Sequence, residues 1–366
     1  MAFFNNENFL TCTIPAVEGA QYDPDNGGAA NIAMEAYEDM LNVVKAIHAA
    51  DMAELACKHQ YQGMTESYVA EQIQVVQEKS VKEIFETIKD GIKKFFGKIA
   101  TFFKKLYEKF FVFSKSNKSF AEKYTPILKN LKYDAKVKIQ GYAYTNEIQK
   151  ILDLVERGVT GVENDLLKPM ANAVSDNLDR LKNDEKPDSK FYGMSSYEGT
   201  DDISAEQTAE ILERHFDIKV TASAISGGSV SSAILRGMRG ADKTSEISYN
   251  KDTLVSELEK LAKLDVGVLK KIESKMTSEF NKILKIVDKA QKTYEALPSD
   301  TKNKNECVQI VRMYNRNVTA NKSICLATVS AFRTVASEYS NQIKRATVDL
   351  IGENKRIKKE SEKKTK

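Results

Sequence analysis

The residues best able to do chemistry are few. The 366-residue chain has three histidines, His48, His59 and His215, none with a second ligand at the spacing that puts two side chains on one helical face. Cys57-Lys58-His59 sets a thiol near an imidazole, but positions i and i+2 of a helix diverge, so no nucleophile–base pair is built. His215, between Glu213 and Asp217, reads as a helix-end histidine near C-terminal carbonyls. Gly91 to Lys98 spells G-I-K-K-F-F-G-K, close to a phosphate-binding loop. It carries five intervening residues instead of four, and Ile99 stands where Ser or Thr would hold magnesium. Gly227-Gly228-Ser229 could cradle an anion at the start of a helix toward Arg236, with Arg239 nearby, and a cap or linker explains the same letters. With 52 acidic residues, no two stand out as an acid–base pair. The expectation is a non-enzymatic chain with no catalytic, cofactor-binding or metal-ligating residues and no cofactor; an enzyme with an unfamiliar site in residues 184–250 is the lesser alternative.

Composition narrows the remaining classes. The balance of 55 basic and 52 acidic residues leaves a formal charge of +3, too small for a global field that would hold a polyanion. Six prolines and no tryptophan favour long helices over a turn-rich sandwich. Cys12, Cys57, Cys307 and Cys325 lack paired spacing, which fits a reducing compartment better than a disulfide framework. Phe3, Phe4 and Phe9 sit among Asn and Glu without the basic start of a signal peptide, and no apolar run reaches the ~18 residues of a membrane span. The glycosylation-like triplets at Asn117, Asn317 and Asn321 are then chance matches.

The elements that would position any site are helical. Residues 1–30 form an irregular arm punctuated by Pro15, Gly19, Pro24, Gly27 and Gly28, and a helix follows from Ala29 to about His59. A shorter helix is expected from Thr65 to Gln77. From Val81 to Phe113 the series Val81, Phe85, Ile88, Ile92, Phe95, Ile99, Phe102, Leu106 steps alternately by four and three, a heptad seam. Phe96, Phe103, Tyr107, Phe110 and Phe111 broaden that apolar face; Lys93, Lys94, Lys98, Lys104 and Lys105 lie on the remainder. Residues 81–118 hold ten lysines against Glu83, Glu86, Asp90 and Glu108. This helix is a core element of a bundle, an interfacial helix able to leave the bundle and lie on an anionic membrane, or a calmodulin-type target. The contact residues are then Phe85, Ile88, Ile92, Phe95, Phe96, Ile99, Phe102, Phe103, Leu106 and Phe110, with the five lysines just named.

Downstream, Tyr133 to Asn183 reads as helical, with Ile139, Ile148, Ile151, Leu152, Leu154 and Val155 as core, a bend or break at Gly158 and Gly161, and a new helix opened near Pro169. Residues 184–250 are rich in Gly, Ser and Thr. There Ser204 and Gln207 form a capping box, and Ile218 to Ala222 suits a brief strand. Periodicity returns from Lys251 to Leu297, and Ser299 is the expected cap of a last helix to Leu350. The tail after Gly352, with seven basic residues against three Glu, is expected to fray. The fold class is all-α: an elongated helical bundle (31–183), a small irregular or α/β insertion (184–250), a long C-terminal antiparallel helical hairpin (251–350) and a basic tail (351–366).

The irregular arm, the Lys- and Phe-rich helix, the long hairpin and the Lys-rich tail together resemble the internal or structural head proteins of large tailed bacteriophages. Ala16-Val17-Glu18 before Gly19 is similar to the small-x-Glu sites trimmed by prohead proteases, so the resemblance implies cleavage between Glu18 and Gly19. It also implies a virion or host-cytoplasmic location and partners among virion subunits, with self-association as a further partner class. The rival function is a membrane-active protein of the pore-forming or effector type that uses 81–113 against an anionic surface. For nucleic acid, scarce Arg and inward aromatics leave only non-specific phosphate contact.

Overall fold

A heptad seam commits a helix to burying one stripe, and in the computed structural model that stripe is buried from Phe85 to Phe110. The structure describes residues 66–144, 146–188, 204–227, 229–240, 243–298 and 302–364. The arm, the helix expected at 29–59, His48, His59, Cys12, Cys57, Glu18, Gly19, Gly228 and Ser299 lie outside them. The helices expected at 65–77 and 81–113 are one, α1 (Glu66–Lys129), because Glu78, Lys79 and Ser80 between them hold no helix breaker. Strand β1 (Val137–Gly141) follows, then α2 (Ile148–Gly161), a π-helical turn (Val162–Leu167) and α3 (Lys168–Lys182). Next come α4 (Ala205–Phe216), α5 (Ala222–Ser226), α6 (Val230–Arg239), β2 (Ser245–Tyr249), α7 (Lys251–Ala262), α8 (Val268–Thr277), α9 (Phe280–Ala296) and α10 (Lys302–Lys364). The fold is mainly α.

The direction of each helix follows from its contacts. Along α1 and α10 the partners advance together: Phe96 beneath the Lys322 ammonium (5.5 Å), Phe110 stacked on Phe332 (5.8 Å), and Asn117 accepting from Ser340 (2.6 Å). The two longest helices, 64 and 63 residues, therefore run parallel. The series α7–α9 runs antiparallel to both. Against α1 it pairs Lys89 with Asp288 (2.8 Å) and Tyr107 with Glu273 (2.7 Å); against α10 the Cys307 thiol donates to Ala290 O (3.1 Å). The C-terminal antiparallel hairpin is thus present, with its first arm in three pieces. Asp265 accepts from Gly267 N (2.9 Å), holding a turn that ends α7 and starts α8. A fourth column, α2 to α3, runs alongside α8–α9, with Gln149 accepting from Asp265 N (2.9 Å) and Lys289 on Asp179 (2.6 Å).

Three expectations are corrected. The stretch 133–183 is not helical throughout: β1 pairs antiparallel with β2, Ile139 facing Ile247, so Ile139 is buried from a strand. Gln342 of α10 holds this ribbon, accepting from Tyr142 N (3.0 Å) and donating to Tyr142 O (3.1 Å) and Tyr249 Oη (2.7 Å). Residues 218–221 form no strand, and Thr221 instead caps α5. The basic tail is helical to Lys364, because Asn354 is buried and donates to Tyr133 O (2.7 Å), and Arg356–Glu353 (2.9 Å) and Lys358–Glu362 (3.8 Å) neutralise neighbouring charges. Within 184–250, the Ser204–Gln207 capping box forms, and Leu212, Phe216 and Ile234 enter the same core as α1 and α10.

Gly158 and Gly161 do not break the column. The helix passes through them into the π-turn, and they are small because α4 presses against them. A Cβ on Gly158 would lie 2.1 Å from the Phe216 ring, and one on Gly161 2.7 Å from His215 Nδ1. Gly158→Ala, although alanine suits a helix better, is therefore expected to lose about 1–3 kcal/mol by overpacking. Urea midpoints of the two proteins check this, and an unchanged or higher midpoint contradicts the packing.

Candidate interaction surface

The residues singled out on α1 divide between two sides. Phe85, Ile92, Phe95, Phe96, Ile99, Phe103, Leu106 and Phe110 are all buried, and Ile88 and Phe102 pack half-buried beside them. Their contacts are the chain's own helices: Phe96 meets Phe280 (5.0 Å between rings), and Phe85 meets Tyr294 edge-on (6.1 Å). The expectation that these ten meet a partner or membrane is corrected, since intramolecular packing already removes them from water. Lys93, Lys94, Lys104 and Lys105 are exposed, and Lys98 is half-buried; Lys93 pairs with Asp90 at 3.6 Å. Phe111, grouped with the apolar face by the sequence, is 69% exposed among the lysines. At 100° per residue it falls on the outer arc, next to Val112 at 62%.

A buried polar crossing was not found from the sequence. Lys322 on α10 is buried and donates to Glu163 Oε2 (3.1 Å) in the π-turn and to Met276 O (2.9 Å) at the end of α8, over the Phe96 ring of α1. One ammonium thus touches all four columns. Burial pushes the Glu163 carboxyl above the usual carboxylate range, against the pull of the Lys322 ammonium, with Glu279 adding to the rise. Glu163 Oε1 and Asn321 Oδ1 are buried without partners. The available signal was Lys322 itself, which occupies a seam position in the series Val318, Lys322, Cys325, Val329, Phe332.

On the far side of the π-turn, His215 Nδ1 lies 3.8 Å from Asp165, and its Nε2 is buried without a partner. Burial depresses its pKa below the ordinary 6.5; Arg214 adds to this and Asp165 opposes it. The sign follows directly. The unfolded chain takes the proton more readily, so the stability contribution is complete above 6.5 and lost as pH falls through the folded value. His215→Gln is expected to flatten the decline in unfolding free energy between mildly alkaline and mildly acidic buffer. Equal slopes in the two proteins count against it.

The other candidate groups are occupied structurally. The phosphate-loop lookalike is an internal part of α1. Ser229 caps α6 by accepting from Ser232 N (3.1 Å), and Arg239 pairs with Glu338 and covers the Tyr142 ring (4.3 Å). Burial raises the Cys307 and Cys325 thiols to about 12, far from a thiolate nucleophile. A cleft of about 200 Å³ between α2 and α7 is crossed by Lys260, bound to Glu147 (2.8 Å) and Glu257 (3.1 Å). A second, of about 420 Å³, is edged by Lys285, Lys289 and Lys292 with Asp179 and Asp288. Among the described residues no three His, Cys, Asp or Glu side chains converge as metal ligands, and no helix is long and apolar enough to cross a membrane.

These features define a mainly α-helical protein with two apolar core clusters, both touched by Tyr339, and exposed lysines along α1. No protein-family model, curated protein or solved structure was found to match the chain.

Proposed function

We propose that the chain is a non-enzymatic structural or assembly component that works through its helical surfaces, of the kind packed in the head or particle of a large tailed bacteriophage. The observation that carries this reading is the parallel pairing of α1 and α10, tied together from Phe96–Lys322 (5.5 Å) through Phe110–Phe332 to Asn117–Ser340 (2.6 Å). Helices of 64 and 63 residues span about 95 Å each at ~1.5 Å per residue. Braced by the antiparallel columns, they form a stiff strut that offers long sides for contact. The phage assignment draws its support from the residue pattern of the arm, the Lys- and Phe-rich helix and the tail. A pore-forming use of the α1 apolar face would have to strip it from Phe280 and Phe332, leaving those bare in turn.

Mass spectrometry of gradient-purified particles from the infected host tests the proposal. The expected result is recovery of this chain's peptides in the particle fraction, with the amino terminus at Met1 or Gly19. Abundance in the lysate with absence from particles would overturn it.

A further inference from the structure

We propose that the outer face shared by α1 and α10 docks on an anionic lipid bilayer while the bundle stays folded. The four large apolar side chains most exposed among the described residues are Phe111 (69%), Val112 (62%), Val348 (51%) and Ile127 (40%). They lie on one side of the molecule. Phe111, Val112 and Ile127 share an arc of roughly 160° on α1, opposite the buried stripe. Ser116, one turn beyond Val112, accepts from the Lys344 ammonium (3.0 Å), and Val348 is one turn beyond Lys344 on α10. The apolar residues therefore follow one path from helix to helix.

The charge on this path is positive. Lys104, Lys105, Lys115, Lys118 and Lys123 are exposed on the same arc of α1, against Glu108 and Glu122. On α10, exposed Arg345 joins them, with Asp349 4.0 Å away, while half-buried Lys344 bridges the two helices over the Phe120 ring. Isolated apolar side chains on a large folded surface are ordinary; their concentration on a lysine-rich edge is not. A polyphosphate would engage the lysines and leave Phe111 and Val112 in water. A bilayer with anionic head groups uses both, because the rings and branched chains reach the acyl boundary while long lysine stems keep their ammonium groups at the phosphates. This differs from membrane insertion of the Phe85–Phe110 face, which remains in the core.

The native chain has no tryptophan, so Phe111→Trp supplies a single emission reporter. The full chain is floated with vesicles of phosphatidylcholine alone or mixed with phosphatidylglycerol. The expected result is flotation only with the mixed vesicles, weakened by salt, with a blue shift of the introduced indole's emission on binding. Replacing Lys104, Lys115 and Lys118 by Gln should weaken binding roughly fivefold per lysine, about 100-fold together. Phe111→Ser with Val112→Ser should weaken it at least ~10-fold at unchanged circular dichroism. The proposal is overturned by no flotation, by equal flotation on both vesicle types, by unshifted emission on binding, or by native-like binding of the glutamine variant. Lysine-dependent retention of duplex DNA or an acidic protein without vesicle binding also overturns it. Because these readings need no virus particle, their failure leaves the virion assignment to be judged by its own experiment.

Discussion

Lys322→Ala is expected to lower the free energy of unfolding by about 3–5 kcal/mol, because it leaves the Glu163 carboxylate in the core without its ammonium partner. It also frees Met276 O at the α8–α9 joint from its buried donor. Much of that loss is the cost of stranding a charge and not the worth of the pair, so the double variant should separate the two. Lys322→Met with Glu163→Met replaces both charges by flexible apolar chains of similar length and is expected to recover at least half of the stability. Urea unfolding of the wild type, both single variants and the double variant closes the cycle. Additive losses, with no recovery in the double variant, would show that the two side chains act independently.

Phe103→Ala is the second large effect. Phe103 is wholly buried in the main apolar cluster, its ring 5.4 Å from Phe102 and 6.3 Å from Tyr107, so truncation should cost about 3–5 kcal/mol in transfer and cavity terms. Phe111→Ala removes the same atoms from a position about 80° around the same helix, on its exposed arc. There the expected change is within about 0.5 kcal/mol, because the ring is already in water. The comparison reads the orientation of α1 directly from thermal or urea melts. Similar losses at both positions would mean that the helix is turned differently or that the outer face is covered in solution.

The second prediction concerns a helix whose periodicity was plain in the sequence. The alternating steps from Val81 to Leu106 marked the buried stripe, because a helix repeats its facing direction with every second turn and that regularity is local. Ser204 with Gln207 marked the start of α4 for a similar reason, as both capping bonds are made within four residues. The strand pair was harder. V-K-I-Q and S-E-I-S-Y each alternate in the manner of a half-buried strand, but five residues are too few to separate that pattern from a helical turn without the partner. The two glycines of α2 misled in the opposite direction. Their cause is the ring and imidazole of α4, more than fifty positions along the chain, and nothing adjacent to them signals close approach.

The candidate surface was legible in half. Counting lysines and phenylalanines singled out the helix that carries the proposed surface, and its amphipathic pattern separated the basic from the apolar side. The apolar side was then available equally to a neighbouring helix, a partner or lipid, since burial removes the same surface from water in each case. The outer residues Phe111 and Val112 were visible as letters but not as exposed groups, because their status depends on which sides of α1 the other helices cover.

Composition and periodicity were enough to establish a helical protein, the seam of α1 and the antiparallel hairpin near the C-terminus, since each depends on near neighbours and on the repeat of a single helix. The parallel pairing of α1 with α10, the Glu163–Lys322 crossing and the joining of apolar and basic residues into one outer face emerged only on folding. They depend on contacts between residues some 160 to 230 positions apart. No local pattern encodes such a distance, because the side chains that meet are chosen by packing of whole helices and not by the spacing within any one of them.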